Sequence, residues 1–287
     1  MKLARIGRPA AEVPAVLDGN GAWRDLSGHV ADIGVPELDR IAEVDLASLP
    51  LIAEPVRFGP PLRRVGKFIA IGLNYADHAR ESGMPIPAEP TIFMKSRDCI
   101  GGPDDDVALP RGSTMMDWEV ELGIVIGTRA RYVEVGRGLS HVAGYVLVND
   151  LSERNDQLNR GGTWDKGKSH DGFGPIGPFL VTRDELGDAR GIALKTSVNG
   201  RLMQDGTTAD MIFGVAEIVA RVSQYMTLLP GDIITTGTPA GVGMGMRPSP
   251  VFLKENDVLE LSGGPLGTQR QRILPPVSGD SDEAGGK

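Results

Sequence analysis

The chain has 287 residues, a length that allows one large domain or two unequal ones. Apolar residues make up 40% and charged residues 24%, ordinary values for a globular protein, so wholesale disorder is not expected. The formal net charge of −8 argues against nucleic acid as the main partner. The single cysteine, Cys99, cannot form an intrachain disulfide, and the sequence contains neither a recognisable secretory leader nor a run of about 20 apolar residues. We therefore expect a cytoplasmic protein with no membrane contact.

The first 60 residues are predicted to form a small β-rich domain. The tetrapeptide Asp-Gly-Asn-Gly at 18–21 lies between two short apolar segments and is a strong hairpin signal. Residues 49–61 are rich in proline and small side chains, which is typical of a linker. The sequence therefore places a domain boundary at residue 60.

A larger and mostly β domain is predicted over residues 61–275. Its clearest strands are residues 67–73, 119–126 and 142–148, which are apolar, rich in β-branched side chains and bounded by turn residues. Strands of this kind are typical of a buried sheet, and we expect them to form the core of the domain.

The second half of this domain contains a hairpin and a helix. Asn199-Gly200 separates two strand-like segments and predicts a two-residue turn. Apolar residues recur at helical spacing between Asp210 and Met226, with Asp210 as the expected N-cap. Another strand is predicted at 233–236. Residues 276–287 have almost nothing to bury and are expected to form a mobile tail.

Three carboxylates form the first candidate site. Glu119 and Glu121 stand two residues apart in an apolar strand, so their side chains share one face, and Asp150 follows the strand predicted at 142–148. Buried carboxylates on one face repel each other unless a cation compensates them. Three oxygen ligands suit Mg²⁺, Mn²⁺ or Ca²⁺ and disfavour zinc. Spacing alone leaves open the alternative that this face is solvated and the pair is ordinary surface charge.

A histidine and a glutamate form the second candidate site. If residues 74–81 are helical, His78 and Glu81 are i, i+3 neighbours on one side. A carboxylate beside an imidazole fixes its tautomer and favours its charged form, which suits a general base. The alternative is a surface helix whose histidine has no role. Residues 82–87 are typical of a loop that folds over a site, although most such loops are only connections.

A glycine-rich stretch at 162–175 carries two lysines, Lys166 and Lys168. Gly167-Lys168-Ser169 has the spacing of a phosphate-binding loop from Gly162, but the sequence predicts no strand–loop–helix context there or around a dinucleotide fingerprint, so nucleotide binding is not favoured. The lysines could bind a substrate carboxylate or be solvated. The sequence has no Gly-x-Ser-x-Gly motif, and a serine or cysteine nucleophile is not supported.

Five motifs in this order resemble the fumarylacetoacetate hydrolase family. They are Gly-Leu-Asn-Tyr-x-x-His-x-x-Glu from residue 72, Glu-Val-Glu from 119, Asn-Asp-Leu-Ser-Glu-Arg-Asn-Asp-Gln from 149, Gly-Lys-Ser from 167 and Thr-Gly-Thr-Pro-Ala-Gly-Val-Gly from 236. The resemblance spans about two thirds of the chain. It implies a mainly β fold with some α-helix: a mixed β-sandwich and β-roll catalytic domain beside the small N-terminal domain. It also implies a homodimer that binds Mg²⁺ or Mn²⁺.

The resemblance assigns roles to nine residues. It implies metal ligation by Glu119, Glu121 and Asp150. It also implies that His78 and Glu81 act as an acid–base pair on a segment that orders when substrate binds.

The remaining four residues are assigned to catalysis and substrate binding. Lys168 is similar to the catalytic active-site lysine of the family. Arg154 and Gln157, which follow the metal aspartate, and Thr238 in the glycine-rich loop are similar to its substrate contacts.

The resemblance implies a catabolic hydrolase that cleaves a C–C bond in a 2,4-diketo acid to give pyruvate and a carboxylic acid. Residues 160–168 and 173–178 look most like the branch acting on 2,4-diketo-3-deoxy sugar acids, and relatives labelled ureidoglycolate lyase or dienedioate isomerase are similar. His170-Asp171-Gly172 departs from the threonine-bearing form expected there, which bears on side-chain selectivity. Decarboxylation or keto–enol isomerisation at the same site is the alternative reaction, and a non-catalytic binding protein is the alternative class.

Overall fold

The computed structural model describes residues 1–53 and 57–277. Within them the chain forms six α-helices and many short or medium strands. The helices are α1 Leu38–Ala42, α2 Ala76–Glu81, α3 Arg154–Leu158, α4 Asp165–Lys168, α5 Arg183–Leu186 and α6 Val215–Tyr225. The strands are β1 Lys2–Ile6, β2 Val13–Leu17, β3 Trp23–Asp25, β4 Phe58–Gly59, β5 Phe68–Gly72, β6 Thr91–Lys95, β7 Ile100–Gly101, β8 Val107–Ala108, β9 Met116–Asp117, β10 Val120–Ile126, β11 Val142–Asn149, β12 Ser152–Glu153, β13 Gly174–Pro175, β14 Leu180–Thr182, β15 Ala193–Val198, β16 Arg201–Thr207, β17 Ile233–Thr235, β18 Val258–Ser262 and β19 Thr268–Leu274.

A ten-stranded mixed sheet dominates the molecule. Its order is β3-β2-β1-β14-β11-β10-β17-β5-β6, and β4 pairs with β1. The hairpin predicted at 18–21 is confirmed, since β2 and β3 pair antiparallel across it. The N-terminal strands join the same sheet as the later ones through β1 and β14, where Leu3 pairs with Leu180. The division into domains at residue 60 stays a prediction.

A second sheet of five strands has the order β16-β15-β18-β19-β8. The predicted hairpin between β15 and β16 is confirmed, because Asn199 and Gly200 have φ values of 51° and 76°, as the tight turn requires. Both sheets contribute to one hydrophobic core, to which Leu122 and Leu147 belong from the first sheet and Leu194 from the second. The predicted fold class, mainly β with some α, is confirmed.

The helix predicted from Asp210 begins later, at Val215, and its N-cap is Gly214. Asp210 instead ends a short 3₁₀ turn. The reason is Asn74, whose main-chain and side-chain oxygens accept the backbone N–H groups of Ile212 and Phe213 at 2.8 Å each. These contacts hold residues 212–213 out of the helix.

No helix in residues 1–53 and 57–277 is long and apolar enough to cross a bilayer, and the 11-residue α6 is the longest of them. Most of the tail expected to be mobile, residues 278–287, lies outside the described residues, as does part of the expected linker at 54–56.

Candidate active site

The candidate site lies at one edge of the large sheet, where four neighbouring strands meet. The start of β10 pairs with the end of β11, and β17 runs antiparallel to β10 and parallel to β5. The start of β10 and the segments that follow β11, β17 and β5 therefore converge. These are the segments that carry Glu119, Glu121, Asp150, Thr238 and His78.

The three predicted carboxylates are brought together. Glu119, Glu121 and Asp150 are 5%, 2% and 1% exposed, and one oxygen from each lies within 4.8 Å of the other two. The alternative of a solvated acidic face is therefore wrong for these side chains. Carboxylates that are this close together and shielded from solvent require compensating positive charge.

Two buried lysines supply part of that charge. Lys168 Nζ donates to Glu119 Oε2 at 2.6 Å and to Asp150 Oδ2 at 2.9 Å. Lys95, whose side chain is fully buried, donates from Nζ to Asp150 Oδ1 at 2.6 Å and also to the carbonyl of Lys168. Burial lowers the pKa of Lys168, but Asp150 and Glu119 outweigh it and raise that pKa, so the ammonium stays charged.

Arg154 is the third buried cation. Its Nε donates to Asp117 Oδ2 at 2.8 Å, its second amino group lies 2.7 Å from Glu119 Oε1, and its first donates to Gln157 Oε1 at 3.0 Å. Asp117 also accepts the backbone N–H groups of Gly243 and Met244 at 2.7 and 3.0 Å. Asp117 thus fixes both the arginine and the glycine-rich loop.

The pKa values of the two glutamates of the cluster are shifted in opposite directions. Burial raises the pKa of Glu119, but the positive charges of Lys168 and Arg154 outweigh it and the net pKa is lowered. Burial raises the pKa of Glu121, and the negative charges of Asp150 and Glu119 raise it further, well above its ordinary value. Glu121 is therefore the carboxylate whose negative charge is least compensated.

Glu121 is held by neutral donors. Its Oε2 accepts the backbone N–H of Gly237 at 2.8 Å and the hydroxyl of Thr235. These bonds orient the carboxylate toward Glu119 and Asp150 without neutralising its charge. A divalent cation between the three oxygens would supply the missing charge, so the donor set fits such an ion.

His78 and Glu81 lie on α2, as predicted, with Nδ1 and Oε2 3.5 Å apart. His78 is 6% exposed, and its Nδ1 has no hydrogen-bond partner among the described residues. Both carboxylate oxygens of Glu81 accept the N–H of Gly241 at 3.1 Å. A Cβ at Gly245 would lie 2.2 Å from Glu81 Cδ, so glycine is required where this loop crosses the glutamate.

These groups border a cavity of about 160 Å³. Of the nine residues assigned from the resemblance, all but Glu81 line it, and Glu81 touches His78 from behind. The hydroxyl of Thr238 is already engaged, because it donates to the carbonyl of Val120 at 2.9 Å and accepts from Gln204 at 2.7 Å. Thr238 therefore presents its backbone and methyl group to a ligand more readily than its hydroxyl.

Sequence reasoning missed Lys95 and Asp117, which hold Asp150 and Arg154 in place. A lysine that ends an apolar strand and an aspartate that ends a two-residue strand are ordinary surface features in a sequence. The available signal for Asp117 was its position two residues before Glu119, on the same face of an extended segment.

The chain is similar to known proteins over most of its length. The chain matches the family described as "Fumarylacetoacetate (FAA) hydrolase C-terminal" over residues 67–274. The chain belongs to this family. It is 51% identical over 273 residues to the 2,4-didehydro-3-deoxy-L-rhamnonate hydrolase of Sphingomonas sp. (strain SKA58), which covers 95% of this chain and 96% of the relative. The predicted family and the prediction of an enzyme are confirmed.

Solved structures of the fumarylacetoacetate hydrolase family share the fold. The fumarylacetoacetate hydrolase of psychrophilic Exiguobacterium antarcticum superposes with a TM-score of 0.86 at 35% identity and covers 96% of this chain and 99% of its own. The 2-hydroxyhepta-2,4-diene-1,7-dioate isomerase of Mycobacterium marinum superposes with a TM-score of 0.73 at 31% identity, covering 97% and 100%. Proteins of this fold therefore carry names of both hydrolases and isomerases.

Proposed function

We propose that the protein is a divalent-metal-dependent hydrolase that cleaves the C3–C4 bond of a 2,4-diketo acid to give pyruvate and a carboxylic acid. The observation that carries this proposal is the buried cluster of Glu119, Glu121 and Asp150, in which Glu121 forms no ion pair among the described residues. We propose Mg²⁺ as the ion, with Mn²⁺ and Ca²⁺ as alternatives, because hard oxygen ligands favour these cations. When bound, the cation supplies Lewis-acid stabilisation of the negative charge that develops on the substrate.

The cations of the chain fix the carboxylates in place. Lys168 and Lys95 hold the two oxygens of Asp150 from different sides, and Arg154 holds Glu119. A pocket whose charges are fixed before the reaction does not have to reorganise as charge develops, which is the main electrostatic contribution to catalysis. Lys168 also lines the cavity, so its ammonium is available to a developing oxyanion.

His78 is proposed to activate the attacking water. It borders the cavity, and Glu81 lies behind its Nδ1, where a carboxylate stabilises the imidazolium that forms when the ring accepts a proton. The water oxygen adds to C4, the C3–C4 bond breaks, and its electron pair leaves as the enolate of pyruvate. The proton taken from water then returns to C3, which completes pyruvate, while C4 leaves as the carboxylic acid.

The proposed substrate class is the 2,4-diketo-3-deoxy sugar acids. It is supported by the name of the Sphingomonas relative at 51% identity and by the sequence of residues 160–168 and 173–178. We also propose, from the family resemblance, that the protein is a cytoplasmic homodimer. Size-exclusion chromatography with light scattering tests the dimer, since a mass of about one 30.5 kDa chain would contradict it.

The reaction is tested with the purified protein, a panel of 2,4-diketo acids, and either Mg²⁺ or a chelator, with products followed by NMR. Pyruvate together with a second carboxylic acid, formed only with the metal, is the expected result. Metal-dependent turnover without C3–C4 cleavage would instead establish the decarboxylase or isomerase alternative. No turnover anywhere in the panel would refute the diketo-acid substrate class.

A pair of histidine variants makes the test specific. His78→Ala should lose hydrolysis, whereas His141→Ala, which removes a histidine bonded to Thr128 away from the cavity, should retain it. If both variants retain hydrolysis, the proposed role of His78 is wrong. Isomerisation needs no activated water, so His78→Ala should affect it less.

A further inference from the structure

The wall of the cavity has an uneven distribution of charge. Among the described residues, the cations that line it are Arg154 and Lys168. Arg154 is engaged with Asp117, Glu119 and Gln157, and Lys168 is engaged with two carboxylates. Both cations are therefore already paired with carboxylates of the chain.

The rest of the wall is apolar or neutral. Leu158 and Met84 line the cavity although each is 45% exposed, which places them at its mouth, and Met244 and Trp164 line it as well. The neutral Ser82 also lines the cavity and could accept or donate a hydrogen bond without charge. Exposed apolar side chains beside a polar centre gain free energy when a ligand covers them.

The formal charges of the lining side chains indicate which ligands the cavity favours. When ionised, the lining carboxylates Glu119, Glu121 and Asp150 carry three negative charges, and Arg154 and Lys168 carry two positive ones. A divalent cation changes the sum from about −1 to about +1, which the single carboxylate of a 2-keto acid neutralises. A second carboxylate on the same ligand would remain unpaired in a largely apolar mouth.

We propose that this cavity selects 2-keto acids whose far end is uncharged and apolar, such as a terminal methyl group, and discriminates against a second carboxylate at that end. Leu158, Met84 and Met244 are the residues that set this preference. The inference rests on the proposed function in taking a 2-keto acid as the ligand and a divalent cation as bound.

Binding tests the inference without any turnover. The matched ligands are 2-oxohexanoate and 2-oxohexanedioate, which have the same chain length, differ in a terminal methyl or carboxylate, and lack the 4-keto group needed for cleavage. Calorimetry with the Mg²⁺-loaded protein should show that 2-oxohexanoate binds at least ~10-fold more tightly, the penalty for one unpaired carboxylate in such a site.

Two variants test whether the apolar residues at the mouth of the cavity set this ligand preference. Leu158→Lys places a cation at the mouth and should reduce the preference to threefold or less, largely by strengthening 2-oxohexanedioate binding. Leu202→Lys, at a 52% exposed leucine of β16 away from the cavity, should leave it unchanged. Equal or tighter binding of 2-oxohexanedioate to the unmodified protein, or no binding of either ligand, would overturn the inference. Hydrolysis of diketo acids together with that result would leave the proposed function in place.

Discussion

Replacing Glu121 with glutamine should stabilise the metal-free protein and at the same time remove most of its stabilisation by Mg²⁺. Burial and the charges of Asp150 and Glu119 raise the pKa of Glu121 well above its ordinary value, so the ionised side chain destabilises the fold at neutral pH. Glutamine has the same shape, and its Oε1 can accept the same bonds from Gly237 and Thr235. The variant therefore keeps the contacts and loses the uncompensated charge.

The size of the expected stabilisation follows from the burial of Glu121 and from its neighbours. Replacing a buried uncompensated charge by a neutral group stabilises a protein by about 1–3 kcal/mol. For a chain of this length, about 2 °C of Tm corresponds to each kcal/mol, so the metal-free Tm should rise by about 2–6 °C. Free Mg²⁺ at about 100 times its Kd should stabilise the unmodified protein by about 2.7 kcal/mol, and a variant with 100-fold weaker binding by only about 0.4 kcal/mol.

The matched control is Glu119→Gln, two residues away. Glu119 has a lowered pKa because Lys168 and Arg154 outweigh its burial, so removing its charge leaves two buried cations partly unpaired. Such a loss costs about 3–5 kcal/mol, which lowers the metal-free Tm. Both variants should lose the Mg²⁺ response, but their Tm shifts in chelator should have opposite signs.

Thermal unfolding between pH 4 and pH 8, in chelator and in Mg²⁺, measures all of these quantities. A carboxyl with a raised folded-state pKa destabilises the fold only above its unfolded pKa, so the advantage of Glu121→Gln should grow from pH 4 to pH 8. A lower Tm for Glu121→Gln in chelator at pH 7, or an unchanged Mg²⁺ shift, would refute the reasoning.

Three further predictions concern other buried groups. Lys95→Met removes the ammonium that lies 2.6 Å from Asp150 Oδ1, so urea titrations should show the free energy of unfolding lowered by about 3–5 kcal/mol. An unchanged free energy of unfolding would show that this ion pair does not stabilise the fold. His78→Ala should lower kcat about 10²–10⁴-fold while its Mg²⁺ affinity by calorimetry stays unchanged; a changed affinity would make His78 part of the metal site. Burial raises the pKa of the Cys99 thiol to about 11, so a thiol reagent at pH 8 should modify it in urea but not in the native protein.

Much of the fold could be predicted because its strands have strong local signals. The strands expected at 67–73, 119–126 and 142–148 are observed at Phe68–Gly72, Val120–Ile126 and Val142–Asn149. Their pairing could not be predicted from periodicity, since β1 lies beside β14 almost 180 residues later. The predicted start of α6 was also wrong because of a contact between distant residues: a side chain from residue 74 decides where that helix begins.

The candidate site likewise contains residues that the sequence identified and residues that it did not. The motifs identified the residues that line the cavity, because each motif concentrates unusual polar residues in a short segment. Lys95 and Asp117 lie outside those motifs, and their partners are 55 and 37 residues away in sequence. No local pattern encodes an ion pair of that separation, so the residues that position the site became visible only in the folded chain.

Glu119 and Glu121 show why spacing alone cannot assign a role. The alternation of a strand correctly places both on one face, and both are buried. Their pKa values nevertheless move in opposite directions, because Lys168 and Arg154 approach one while neutral donors from the loop after β17 approach the other. A buried carboxylate left without a cation costs stability, and the divalent ion that we propose would offset that cost.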